Sequence, residues 1–232
     1  MLHALVLSLG QMARPPVLRL VLRCLLIALV VTAGLALAGW QLLVAGIGRT
    51  GLADPLLPKD SALLSALSAL AALLLAWLLW RIVAMAVLQF HADEVVRAVE
   101  AQHYPQAAAN ARRLGFGEEA RIAAAGALRA LLVNLAALPF ALALLVTGIG
   151  APLLFWAVNA VLLGRELMDM VWLRHRASAA EAPPLSRLDR FLLGGVVAGL
   201  LAVPFANLLA PFIGAAMAAH LVHRRSAQAR PA

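Results

Sequence analysis

Apolar residues in this chain gather into four long blocks, separated by shorter polar stretches that are rich in arginine. Residues 24–48 hold no charged side chain over 25 positions. A helix needs about 20 residues to cross the hydrocarbon core of a bilayer, so this block predicts a spanning helix. Gly34, Ala38 and Gly39 give it small surfaces where another helix can approach. Residues 48–60, with Pro55 and Pro58, read as a turn-rich connection. Residues 61–80 then supply 20 uncharged positions for a second span, with Trp77 and Trp80 placed to anchor its end at the headgroups. Arg81 can snorkel while apolar residues continue to Phe90, so this helix can outrun the membrane.

The third and fourth blocks are broken. Residues 130–164 are uncharged, but Gly148, Gly150 and Pro152 interrupt them with a strong turn signal. The first arm, residues 130–147, would be about 27 Å long and barely span. The fourth block, residues 191–219, is interrupted at Pro204 and Asn207 and again at Pro211. Split near Pro204, its arms reach only about 20–22 Å, short of a core about 30 Å thick. Two broken helical hairpins are therefore expected. At least the last is short enough to be re-entrant, provided that protein or a polar cavity shelters its open backbone.

Residues 91–129 have a soluble character. Acidic residues near a helix start, followed by Val95, Val96, Val99 and Tyr104, predict an amphipathic helix that Pro105 stops. A second helical run begins near Gly117, so the stretch reads as a polar helical insertion, a helix pair at the membrane surface. The expectation is an all-α integral membrane protein: one membrane domain over residues 1–232, with two long spanning helices followed by two broken hairpins.

Composition strengthens that picture. The chain is 64% apolar and 13% charged, against about half and a quarter in soluble domains. The first apolar block begins only after Arg14, Arg19 and Arg23 and runs past the length of a signal core, so no signal peptide is expected. A net charge of +8 raises nucleic acid as a partner. The basic residues stand beside apolar blocks, however, which is the signature of membrane topology, and no nucleic-acid partner is expected. Six arginines fall in residues 81–129 and five in residues 165–190, with Arg224, Arg225 and Arg230 in the tail. The positive-inside rule puts these stretches, and both termini, in the cytoplasm.

Candidate chemistry is sparse. Cys24 is the one cysteine and sits in an apolar run, so neither a disulfide nor a thiolate cluster is expected. His220 and His223 are three apart near a helix end but lack an evident third ligand, so no metal is expected. No cofactor motif and no Ser-His-acid arrangement is recognisable, which argues against an enzyme. The best polar candidates follow the third block, where Arg165, Glu166 and Asp169 cluster on one helical side. Near a membrane such charges pair with one another or border an anion path. Asn134, Asn159 and Asn207 can bond across helices or cap broken backbone. Gly148, Gly150, Pro152, Pro204, Asn207 and Pro211 are the hairpin-shaping residues. Pro15 and Pro16 set a bend before the first long helix, with Arg19 in position to hold an anion or a lipid phosphate.

Several phrases taken together resemble one family: ARPPVLRLVLRCLL, FHADEVVRAVEAQHYP, LPFALALLVTGIGAPLLFWAVNAVLLGRELMD and AVPFANLLAPFIGAAMAAHLV. They are similar to the bacterial CysZ-type sulfate transporters, a family that includes proteins like the eukaryotic etoposide-induced membrane protein. The resemblance implies a helical, homo-oligomeric bacterial inner-membrane protein with incompletely inserted hairpins, and makes sulfate the sharpest substrate expectation. The alternative is a non-transporting membrane structural or assembly protein. Sulfate-transporting members carry a Pro-Gly-hydrophobic-Arg-Arg pattern at the anion site. Here Pro15-Pro16-Val17-Leu18-Arg19 stands in its place, so Arg19 carries over while Pro16 removes a backbone donor. Asp169 matches an acidic position after the third block, but Met170-Val171 departs from the aromatic-proline character that follows it there.

Overall fold

The computed structural model describes residues 2–12, 14–50, 62–178, 180–203 and 206–229. Most of the expected connection at residues 48–60, together with Pro204 and Arg230, lies outside them. Among the described residues the regular elements are all helical: α1 (Leu2–Met12), α2 (Pro15–Thr50), α3 (Ala62–Phe90), α4 (Ala92–His103), α5 (Pro105–Asn110), α6 (Phe116–Leu144), α7 (Gly150–Trp172), α8 (Arg187–Ala202) and α9 (Ala206–Ala229). One 3-10 turn, Leu145–Thr147, follows α6. Val17–Gln41, Phe116–Thr147, Gly150–Trp172 and Ala206–Gln228 are each long and apolar enough to cross a bilayer. The chain is an all-α membrane protein.

Two compact units form, one from Arg19–His91 and one from Met1–Leu18 with Ala92–Ala232. The first consists of α3 and nearly all of α2. At 36 and 29 residues, these helices are about 54 and 44 Å long, more than enough to cross the core. Leu22, Leu26, Leu29, Val30 and Leu37 of α2 are all exposed and share one side of the helix, while Cys24, Ala28 and Thr32 on the other side are buried. A Cβ on Gly39 would meet Leu75 of α3 at 3.5 Å, ordinary van der Waals contact.

The second unit is arranged around α9, on which α1, α4, α7 and α8 pack. In α9 78% of the apolar segment is buried, whereas in α6 only 11% is. Residue size accounts for the difference. Ala210, Ala215, Ala216, Ala218 and Ala219 are fully buried, and such small side chains let several helices approach one axis. Lipid tails are as apolar as leucine, so close packing and not water exclusion holds such helices together. The α7–α8 contact goes further. A Cβ on Gly164 would collide with the Arg190 carbonyl, and one on Gly194 with the Ala160 carbonyl, so the two helices touch backbone to backbone. Trp156 locks the pair by donating from Nε1 to the Gly195 carbonyl at 3.0 Å while its ring meets Phe191 edge-on.

The hairpin between α6 and α7 turns at Gly148, whose φ of 74° lies where a side chain is strained. Thr147 donates to the Leu144 carbonyl and accepts from the Gly150 N–H, which closes the corner. Pro152 sits in the first turn of α7, where a missing N–H leaves nothing unpaired.

Several expectations are corrected. The second helix of the surface pair and the first arm of the third block are one helix, α6, whose 29 residues reach about 44 Å and span readily. Glu118, Glu119, Arg121 and Arg129 interrupt the apolar pattern without interrupting the helix. Pro211 lies inside α9, which runs 24 residues, while α8 has 16 and at about 24 Å stays shorter than the core. Asn207, the second residue of α9, donates its N–H to the Val203 carbonyl at 3.0 Å. Asn134 and Asn159 bond back to Ala130 and Phe155 in their own helices, not across helices.

Candidate functional site

The polar residues expected after the third block lie near the C-terminal end of α7. Arg165 and Asp169 pair at 3.6 Å, as their i, i+4 spacing anticipates. The Arg165 side chain nevertheless remains about half exposed (49%). Glu166 points toward α6, where a Cβ on Gly126 would stand 3.7 Å from its carboxylate. Arg129 of α6 and Arg190 of α8 also act electrostatically on Asp169. Arg190 keeps its Nε buried without a hydrogen-bond partner among the described residues. Three arginines thus surround two carboxylates, a surplus of positive charge at a helix junction.

Arg19 is exposed and belongs to the Arg19–His91 unit. Pro15 and Pro16 occupy the first two positions of α2, so two of the four N–H groups that a helix start normally leaves open do not exist. Leu18 spends its N–H on the Arg14 carbonyl at 2.9 Å. The backbone nest at this helix start is correspondingly thin.

A second polar centre is not evident as a unit in the sequence. Its core is Glu100, whose side chain is only 1% exposed. It lies on the α4 face that buries Val95, Val96 and Val99. His175, in the turn after α7, meets Glu100 Oε1 through Nε2 at 2.8 Å, and His223 of α9 meets the same oxygen through Nε2 at 3.1 Å. Arg174 donates from Nη2 to Oε2 at 3.3 Å. Burial pushes the Glu100 carboxyl up, but the hydrogen bonds from the two histidines and the charge of Arg174 outweigh it, holding the group at about 2.

Around this core the polar contacts continue. The Tyr104 ring packs against His223 with centroids 4.7 Å apart, and its hydroxyl bonds His220 Nδ1 at 3.1 Å. His220 Nε2 bonds Gln11 of α1 at 3.2 Å, and Gln11 donates to Gln102 at 3.2 Å. The chain of side chains therefore ties α1, α4 and α9 together in the middle of the unit. Beside it opens a cavity of about 770 Å³, lined among others by His103, Tyr104, Trp172, His175, His223 and Ser226. The one signal available in sequence is Glu100 itself, a charged residue on the apolar face of an amphipathic helix. Its partners lie 75 and 123 positions away, beyond the reach of any local pattern.

The family described as Sulfate transporter CysZ/Etoposide-induced protein 2.4 matches the chain over residues 4–211. No curated protein and no solved structure matches it.

Proposed function

The chain belongs to the Sulfate transporter CysZ/Etoposide-induced protein 2.4 family, and from that premise we propose that it is a membrane permease for a small inorganic anion, with sulfate foremost. The family match over nearly the whole chain carries this reading. The polar residues support it. A tetrahedral dianion is best held by guanidinium donors, which bind oxyanions through paired charge-assisted hydrogen bonds. Arg19 is exposed. Arg165 stays half exposed while paired with Asp169, so that pairing leaves it accessible to an anion. The reading includes a bacterial inner-membrane location, both termini in the cytoplasm, and assembly as a homo-oligomer.

The opposing reading is a structural or assembly protein, in which these arginines only neutralise carboxylates. Binding separates the two. Purified protein in detergent is expected to bind sulfate saturably, with weaker binding of chloride. Arg19→Ala or Arg165→Ala should weaken sulfate binding about 10-fold or more, because each removes a charge-assisted contact of about 1.5–3 kcal/mol. Folded protein without saturable sulfate binding would overturn the proposal.

A further inference from the structure

The cluster around Glu100 has the donor chemistry of a metal site. Among the described residues, one carboxylate oxygen and two imidazole nitrogens, from Glu100, His175 and His223, all lie within 4.8 Å of one another. They come from three separate elements, α4, the turn after α7, and α9. We propose that these three residues form a binding site for one divalent transition-metal cation of the zinc class, with the fourth coordination position open toward the adjoining cavity.

Geometry supports the assignment. Zinc bonds to histidine nitrogen and carboxylate oxygen are about 2.0–2.2 Å long, which sets neighbouring donors in a tetrahedral shell about 3.3–3.5 Å apart. The two Nε2 atoms stand 2.8 and 3.1 Å from Glu100 Oε1, and the three donor atoms lie within 4.8 Å of one another, so side-chain movements of about an ångström would admit an ion. A carboxylate can only accept, so in the metal-free arrangement each imidazole carries a proton on Nε2. Moving that proton to Nδ1 turns both rings toward the ion as lone-pair donors without changing their charge.

The surroundings fit the same role. Arg174 bonds the other oxygen, Oε2, in the manner of an outer partner that fixes a ligating carboxylate. Tyr104 packs on His223, and the His175 and His223 rings meet edge to face with centroids 4.9 Å apart. Both histidines line the cavity of about 770 Å³, which leaves room for a water or an anion as the fourth ligand. Two nitrogens and one oxygen select against magnesium and calcium, which take shells of oxygen, and favour zinc, cobalt, nickel or copper. A bound ion would clamp α4 and the end of α7 onto α9. This site is independent of whether the chain transports an anion.

The test uses the full chain in detergent, freed of any purification tag, stripped with chelator and titrated with zinc or cobalt alone. Expected are uptake of one ion per chain in the micromolar range or tighter, the intense visible absorption of four-coordinate cobalt, and a rise in melting temperature of about 5 °C at a hundredfold excess over Kd. His175→Gln and His223→Gln should each weaken binding at least tenfold, whereas His91→Ala should not. Wild-type protein that takes up no stoichiometric ion would overturn the proposal, a result that needs no variant to fold. Tight binding unchanged in both glutamine variants would overturn it equally.

Discussion

At the scale of single residues, the most consequential group is Glu100, an acid on the face of α4 that its neighbours use to bury valines. A buried charge is tolerated only when paired, and removing one partner of such a pair costs about 3–5 kcal/mol. Glu100→Ala should therefore lower the melting temperature by about 10 °C, measurable by intrinsic tryptophan fluorescence in detergent. The pH dependence has a definite sign. The folded carboxyl titrates at about 2, below its ordinary value of 4.5, so the unfolded chain binds the proton more readily. The stabilisation is full above pH 4.5 and is lost as pH falls through about 2. Melting temperature should decline over that window in the wild type and more shallowly in Glu100→Gln. A window unchanged by the substitution would assign the acid sensitivity to other groups. Arg19, by contrast, is legible in the sequence as an anion candidate, because its place beside two prolines at a helix start is a local feature.

Among the elements, α7 and α8 make the tightest junction, and its determinants are glycines. Gly194→Leu would drive a side chain into the Ala160 carbonyl, where the neighbour is backbone and cannot move aside. Overpacking of this kind costs about 1–3 kcal/mol or more. The variant should lose several degrees of melting temperature or fail to elute as a monodisperse species, whereas Gly34→Leu, with nothing within 4 Å, should behave as wild type. Trp156→Phe keeps an aromatic ring but removes the N–H that bonds Gly195 and part of the ring packed on it, a loss of about 1 kcal/mol or more in melting experiments. How much of these elements can be read from the sequence follows from what each helix buries. The helices α2 and α3 are plain because their apolar blocks, residues 24–48 and 61–80, carry no charge. The turn at Gly148 is plain because glycine and proline mark corners locally. The short helix α1 is not, since the face it buries is Ala4, Ser8 and Gln11. That face follows helical spacing but is small and polar, so no apolar stripe announces it. The unbroken length of α6 is hidden because charged residues are a poor indication of where a helix ends when it projects beyond a bilayer.

For the whole molecule, family membership and the array of apolar helices describe a membrane protein. The anion proposal adds a use for arginines that helix packing alone does not require. The charge surplus around Asp169 and the exposed Arg19 are its chemical basis; Arg19, Arg165 and Asp169 are local features of the sequence, whereas Arg129 and Arg190 join Asp169 only through folding. The Glu100 cluster is beyond the reach of sequence, because it assembles only when α4, α7 and α9 come together. Its removal should disturb metal uptake and stability and leave Arg19-dependent sulfate binding measurable in protein that remains folded.

Sulfate flux separates a permease from a structural protein. Purified protein is reconstituted into sealed liposomes, and uptake of labelled sulfate is compared with empty vesicles and with Arg19→Ala and Arg165→Ala. A permease should show saturable uptake above the empty vesicles, reduced about 10-fold or more by at least one of the two substitutions. Folded, inserted protein that admits no more sulfate than empty vesicles would contradict the permease reading.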